Sequence, residues 1–143
     1  MRDEKKISII VNCYNGSKYL KDCLDSIKNQ SYKNFELIFW DNQSQDNSKD
    51  IFHEYINDKR FKYFLSNTHT TLYEARNSAI QKAQGEFLAF LDTDDIWLKD
   101  KLKKQIPLFE DNSVGLVYGN FWLFNKSNII RKKRIFSKDK LEK

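Results

Sequence analysis

The stretch Gly85-Glu86-Phe87-Leu88-Ala89-Phe90-Leu91-Asp92-Thr93-Asp94-Asp95 decides how the rest of the chain reads. Its apolar run at 87–91 has the length and character of a strand. The run leads directly into three carboxylates within four residues. Such close carboxylates repel one another, and a divalent cation offsets that repulsion well. Hard oxygen ligands suit Mn2+ or Mg2+, which commonly take one or two carboxylates and complete their shell with substrate phosphates. The plainer alternative is a helix N-terminus, whose dipole favours acids. Asp95 fits that alternative, because a helix is expected over 98–109. Asp92 and Asp94 are the candidate metal ligands.

Outward from this stretch, the same kind of apolar run recurs at 7–11, 35–40, 61–65 and 114–118, and 121–124 is expected to extend the sheet. Amphipathic segments lie between the runs. Tyr19, Leu20, Cys23, Leu24 and Ile27 repeat at helical spacing, with charged residues between them. A second helix carries Ile51, Phe52, Tyr55 and Ile56, with Asp46 or Ser48 as its expected cap. A third is expected over 70–84, ended by Gly85, and Pro107 should kink or end the helix over 98–109. Asn15-Gly16 marks a tight turn. Strand and helix alternate, which predicts βαβ units and an α/β fold with a mostly parallel sheet and helices on both faces.

Ligands of open α/β sheets bind outside the carboxyl ends of the strands. Here those ends are followed by Asn12-Cys13-Tyr14-Asn15, Asp41-Asn42-Gln43-Ser44 and Asp92-Thr93-Asp94-Asp95. Polar and acidic groups thus converge on one edge from three strands. Neither a G-x-x-x-x-G-K-S/T nor a G-x-G-x-x-G cradle is present, so phosphates would be neutralised by the metal with help from Arg76. His53 and His69 form no nucleophilic set and are expected to be passive.

The composition bounds the class. The chain has 143 residues, 40% hydrophobic and 31% charged, as expected of one soluble domain. No apolar run nears the roughly 20 residues of a membrane helix. The N-terminus carries no signal core, so a cytoplasmic location is expected. The net charge of +5 is concentrated: residues 126–143 hold eight Lys/Arg against Asp139 and Glu142. The body is nearly neutral, which argues against nucleic acid as a partner and leaves a solvated basic tail. Such a tail could also contact anionic headgroups at the inner membrane face. Cys13 and Cys23 have no zinc spacing and are expected to be free thiols in or near the core.

These motifs, in this order and spacing from about Ile7 to Tyr118, resemble the nucleotide-sugar-binding portion of family 2 glycosyltransferases with the GT-A (Rossmann-like) fold. The resemblance also covers Asn29-Gln30-Ser31-Tyr32, Phe35-Glu36-Leu37-Ile38 and Glu74-Ala75-Arg76-Asn77. It implies an inverting transfer of a sugar from a nucleotide-diphosphate sugar, UDP-linked by expectation, to an acceptor hydroxyl in bacterial surface polysaccharide synthesis. The acceptor would be a glycan or lipid-linked.

The resemblance assigns Asn12, Cys13 and Tyr14 to the nucleobase, with Tyr14 packing beside a uracil-like ring. Asp41 accepts a hydrogen bond from the base, and Ser44 belongs to the same loop. Arg76 lies near the donor. Asp92 lies near ribose and metal, and Asp94 binds the metal of this D-x-D element.

The chain departs from the family pattern at three places. Asn12 stands where proline is usual. Asp41-Asn42-Gln43-Ser44 replaces the common D-D-G-S. Tyr73 stands where a glycine often precedes Glu74. The general base that such a reaction requires is expected beyond the chain end, since Glu110, Asp111 and Glu142 sit in no matching motif. The expected organisation is a GT-A domain over 1–125 and a basic tail, or the start of an acceptor region, over 126–143. The alternative is a catalytically incomplete nucleotide-sugar and metal-binding module, or a fragment that needs a partner. An exposed sheet edge would favour a homodimer.

Overall fold

The computed structural model describes residues 5–125 and 128–133. The described residues divide into two compact units, with the boundary between Lys103 and Lys104. The boundary expected at 125/126 adjoins residues 126 and 127, which lie outside the described residues, as does the tail beyond 133.

The first unit is built on a four-stranded, wholly parallel sheet in the order β3-β2-β1-β4. Its strands are β1 (Ile7–Cys13), β2 (Phe35–Asp41), β3 (Phe61–Leu65) and β4 (Phe87–Phe90). The connecting helices are α1 (Ser17–Lys28), α2 (Ser48–His53) and α3 (Leu72–Ile80). Ile7, Ile9, Ile10 and Val11 of β1 are at most 1% exposed, as a central strand covered on both faces requires. α1 and α2 pack together, while α3 lies against β1 and β2. On the α3 side Ile10, Ile38 and Ala79 form a buried cluster with Trp40, Phe64, Ile80 and Ala83 packed on it. On the sheet's aromatic side Phe52 stacks on Phe39 at 4.6 Å.

The third helix is shorter than the 70–84 span expected. Thr71 starts it with a full capping box: its side chain accepts from the Glu74 N–H, and the Glu74 carboxylate accepts from the Thr71 N–H. It stops at Ile80, so Gly85 does not end it. Gly85 is required for a different reason. A Cβ there would lie 2.6 Å from the Ser8 nitrogen and 2.8 Å from the Ile7 carbonyl carbon. The chain enters β4 by pressing its backbone against β1.

That crossing is fixed by a buried carboxylate. Glu36, 2% exposed, accepts from Ser8 Oγ at 2.7 Å, from the Gln84 N–H at 2.7 Å, from Lys62 at 2.7 Å and from Lys6 at 3.2 Å. Burial by itself would raise its pKa. The hydrogen bonds from Lys62, Ser8, Gln84 and Lys6 outweigh burial and hold it down at about 2.

The helix expected over 98–109 is divided. α4 (Lys101–Gln105) is followed by a 3-10 helix, Ile106–Glu110. Pro107 has no N–H to continue the α-helical ladder and sits in the first turn of the 3-10 segment.

In the second unit, the strand expected at 114–118 is absent: residues 114–120 have no regular structure. Leu116 is 75% exposed, so its apolar neighbours do not mark a buried strand. Gly115 and Gly119 also weaken any strand there. The stretch 121–124 does not extend the parallel sheet. It forms β5 (Phe121–Asn125), paired antiparallel with β6 (Asn128–Lys133) in a separate two-stranded sheet. Part of the basic tail is therefore a strand, consistent with its β-branched Ile129-Ile130. Among the described residues no helix is long and apolar enough to cross a membrane.

Candidate functional site

The parallel sheet delivers the ends of β1, β2, β3 and β4 to one edge. At this edge the loops after the strands are tied together by their own polar groups. The Asn15 N–H donates to Ser44 Oγ at 3.0 Å, and the Gln45 N–H donates to Asn15 Oδ1 at 2.8 Å. Asn15 adopts φ 52, a left-handed conformation that asparagine tolerates. The Ser17 N–H donates to Asp46 Oδ2 at 2.9 Å, while Asp46 Oδ1 accepts from the Ser48 N–H at 3.0 Å. One carboxylate thus serves the first turns of both α1 and α2. Burial opposes its ionisation, but the bonds from Ser48 and Ser17 hold its pKa at about 2. Neither expected residue is the cap of α2: that position is Asn47, which makes no side-chain cap bond, while Asp46 acts from one residue earlier and Ser48 is itself the first helical residue.

Cys13 ends β1 and is buried, with its thiol pKa raised chiefly by burial. The Ser44 hydroxyl donates to its Sγ at 3.7 Å. Asn12 is half-buried. Its Nδ2 is inaccessible and has no hydrogen-bond partner, as does Nε1 of Trp40, the residue facing it on β2. Tyr14 is 52% exposed. Its ring lies 4.2 Å from the ring of His69, tilted by 48°.

Asp41 is 1% exposed. Its Oδ1 accepts from the Ser44 N–H at 2.7 Å and its Oδ2 accepts from the Tyr63 hydroxyl at 2.6 Å. Burial first, then this bond and the Asp41 charge, push the Tyr63 pKa upward. Asn42 is 5% exposed and acts as a hub. Its N–H donates to the Cys13 carbonyl at 2.8 Å, and its Nδ2 donates to the Thr70 carbonyl at 2.7 Å. Its own carbonyl accepts from His69 Nδ1 at 2.9 Å.

Across the edge, Arg76 on α3 donates to Asp92 Oδ1 at 2.7 Å. The Asp92 carbonyl accepts from the Cys23 thiol at 3.6 Å. Gly16 brings the β1 loop against the same turn, since a Cβ there would lie 3.0 Å from Thr93 Oγ1. Asp92 and Asp94 are exposed. Asp95 has a raised pKa, from burial first and then from the charges of Asp94 and Asp92. The turn therefore carries a local excess of negative charge that Arg76 offsets only in part. Beyond it, Gln30 fastens the next segment: its Nε2 donates to the Leu98 carbonyl at 2.9 Å, and its Oε1 accepts from the Leu102 N–H at 3.2 Å.

Two residues escaped the sequence reading. His69 packs on Tyr14, a contact that a reading of its chemistry as passive does not address. Asn42 appeared only as a departure from a pattern. A histidine in a loop carries no local signal, because its partners come from two other strand ends. Asn42 following Asp41 at a strand end was the one available hint.

The family model for glycosyl transferase family 2 matches residues 8–142. The chain belongs to that family. It is 35% identical over 130 residues to the Escherichia coli UDP-Glc:alpha-D-GlcNAc-diphosphoundecaprenol beta-1,3-glucosyltransferase WfgD, covering 91% of this chain and 51% of that protein. The family 2 chain thus spans about half the length of this curated relative. Among solved structures, S. aureus TarS 1-349 in complex with UDP matches with a TM-score of 0.68 and 34% identity, over 75% of this chain and 32% of that one. The Pyrobaculum calidifontis mannosyltransferase PcManGT, in complex with GDP-Man and Mn2+, gives a TM-score of 0.74 over 80% of this chain and 35% of that one. At 22% identity it supports the fold alone. The parallel sheet and its helices are thus those of GT-A transferases.

Proposed function

We propose that the edge formed by the loops after β1, β2 and β4, with Arg76, is the donor site of a UDP-sugar-dependent, inverting glycosyltransferase. The observation that carries the reading is the Arg76–Asp92 pair. It joins a cation to the acidic turn at the strand ends, where α/β sheets bind nucleotides. The TarS complex with UDP and the UDP-Glc donor in the name of WfgD support a uridine nucleotide.

The donor set fits a divalent metal. Asp92 and Asp94 supply two exposed carboxylates on one turn. Among the described residues no group of three or more His, Cys, Asp or Glu could hold a metal by itself. Two carboxylates with the remaining positions left to phosphate oxygens is the usual manner of Mg2+, and Mn2+ accepts the same ligands. When bound, such a metal would stabilise the charge of a departing diphosphate.

The chain's own residues do the rest. Tyr14 offers a half-exposed ring to the base. Asp41 would accept a base N–H, because each of its oxygens holds one donor and keeps a second lone pair. At 1% exposure it can do so only where the Tyr14–Ser44 rim admits the base edge. Asn12, Cys13 and Ser44 shape that rim. Arg76 donates to the phosphate end.

The acceptor is proposed to be glycan or lipid-linked, as in the name of WfgD, in bacterial surface polysaccharide synthesis. Contact of the basic tail with the inner membrane face belongs to the same reading, as do a cytoplasmic location and self-association. The second reading is a nucleotide-sugar and metal-binding module without turnover.

The test is calorimetric titration of UDP into the chain with Mn2+ and again with EDTA. Metal-dependent binding is the expected result. Absence of binding in both conditions, for UDP, GDP and dTDP alike, would overturn the donor site. A transfer assay on the same sample separates the enzyme from the module.

A further inference from the structure

We infer that His69 is a positioning residue that holds the Tyr14 ring in the attitude needed to meet a pyrimidine base. The inference rests on the reading of Tyr14 as the base platform and adds the device that fixes it.

Tyr14 follows β1, and His69 lies in the segment between β3 and α3. Their ring centroids are 4.2 Å apart. A half-exposed tyrosine on a loop would otherwise exchange among rotamers. The imidazole is itself immobilised. His69 Nδ1 lies 2.9 Å from the Asn42 carbonyl oxygen. A carbonyl only accepts, so Nδ1 carries the proton and the ring orientation is set.

Asn42 in turn is buried and anchored on both sides. It bonds to the Cys13 carbonyl, one residue before Tyr14, at 2.8 Å. Its Oδ1 accepts from the Thr70 N–H and Oγ1, each at 3.1 Å, one residue after His69. The strand ends of β1, β2 and β3 therefore converge on one pair of rings. Packing against His69 limits the freedom of Tyr14 while about half of the residue stays accessible to a ligand. A base stacking there would lose less conformational entropy than on a free side chain.

The test measures affinity for UDP and for inorganic diphosphate, each with Mn2+, in the full chain and in three variants: His69→Ala, His69→Phe and Tyr14→Ala. His69→Ala should weaken UDP about three- to tenfold, the scale of one aromatic pair, and leave diphosphate affinity unchanged. His69→Phe should recover only part of the loss, because it keeps a ring against Tyr14 but lacks the Nδ1–H that anchors the ring to the Asn42 carbonyl. Unchanged UDP affinity in His69→Ala would overturn the inference. So would an equal loss for diphosphate, or a His69→Phe variant no better than His69→Ala. If Tyr14→Ala weakens UDP while His69→Ala does not, only this inference falls. If neither variant affects UDP, the base platform itself is wrong. Thermal unfolding of each variant checks that the fold is kept, and His69→Phe carries the test should His69→Ala fail to fold.

Discussion

The guanidinium of Arg76 on α3 stands 2.7 Å from the carboxylate of Asp92, just beyond the end of β4. Asp92 is 59% exposed in its side chain and Arg76 33%. An ion pair this open contributes at most about 1 kcal/mol to folding. Arg76→Gln should therefore shift urea stability by less than about 1 kcal/mol. It should weaken UDP binding in Mn2+ by about tenfold or more, the scale of a charge-assisted bond to phosphate. The opposite pattern, a large loss of stability with UDP affinity intact, would assign Arg76 to the frame instead.

Asp94 is exposed and two positions on. Asp94→Ala should abolish metal-dependent UDP binding and leave the unfolding temperature within a few degrees of wild type. Calorimetry with Mn2+ and with EDTA reads the first, and a thermal melt the second. Binding that stays metal-dependent and undiminished would remove Asp94 from the ligand set.

Asp41 behaves differently because it is buried. Asp41→Ala would strand the Tyr63 hydroxyl and the Ser44 N–H. Leaving two such donors unsatisfied costs on the order of 2–4 kcal/mol, readable as a lowered urea midpoint. Its part in base recognition should appear as a ratio, with uridine nucleotides weakened more than guanosine ones. Equal weakening would confine Asp41 to holding the loop.

Acid stability should carry the mark of Glu36. Its folded pKa, about 2, lies below its ordinary value of 4.5. The folded state therefore prefers the ionised form. The stabilisation is complete above the unfolded value and is lost as pH falls from about 4.5 toward about 2. For a carboxylate this deeply buried, the difference amounts to roughly 3 kcal/mol. Glu36→Gln should lower stability at neutral pH and flatten the urea midpoint across that acid range. A profile as steep as wild type would place the acid sensitivity elsewhere.

What the sequence disclosed depended on how local the signal was. β1 and β2 were readable because both faces are buried, which leaves continuous apolar runs. The order of strands and helices then placed the loops at one edge. The turn Asp92–Asp95 announced itself by charge alone. Gly85 misled, because a glycine needed for close backbone approach looks the same in sequence as one that ends a helix. The apolar residues at 114–118 misled as well, since a run beside Gly115 and Gly119 says nothing of whether a neighbour strand exists to pair with it. His69 was invisible as a partner of Tyr14: 55 positions separate them, and only the sheet topology brings them together.

Asp46 draws the entrances of α1 and α2 onto a single carboxylate, and the loops above are laced to one another by Asn15, Ser44 and Asn42. These ties make the edge a braced wall. A rim side chain outside that lacing, such as half-exposed Tyr14, can be exchanged without cutting these ties. A change at Asp46 itself would loosen two walls together, so altering ligand preference calls for edits at the rim and a keystone left in place.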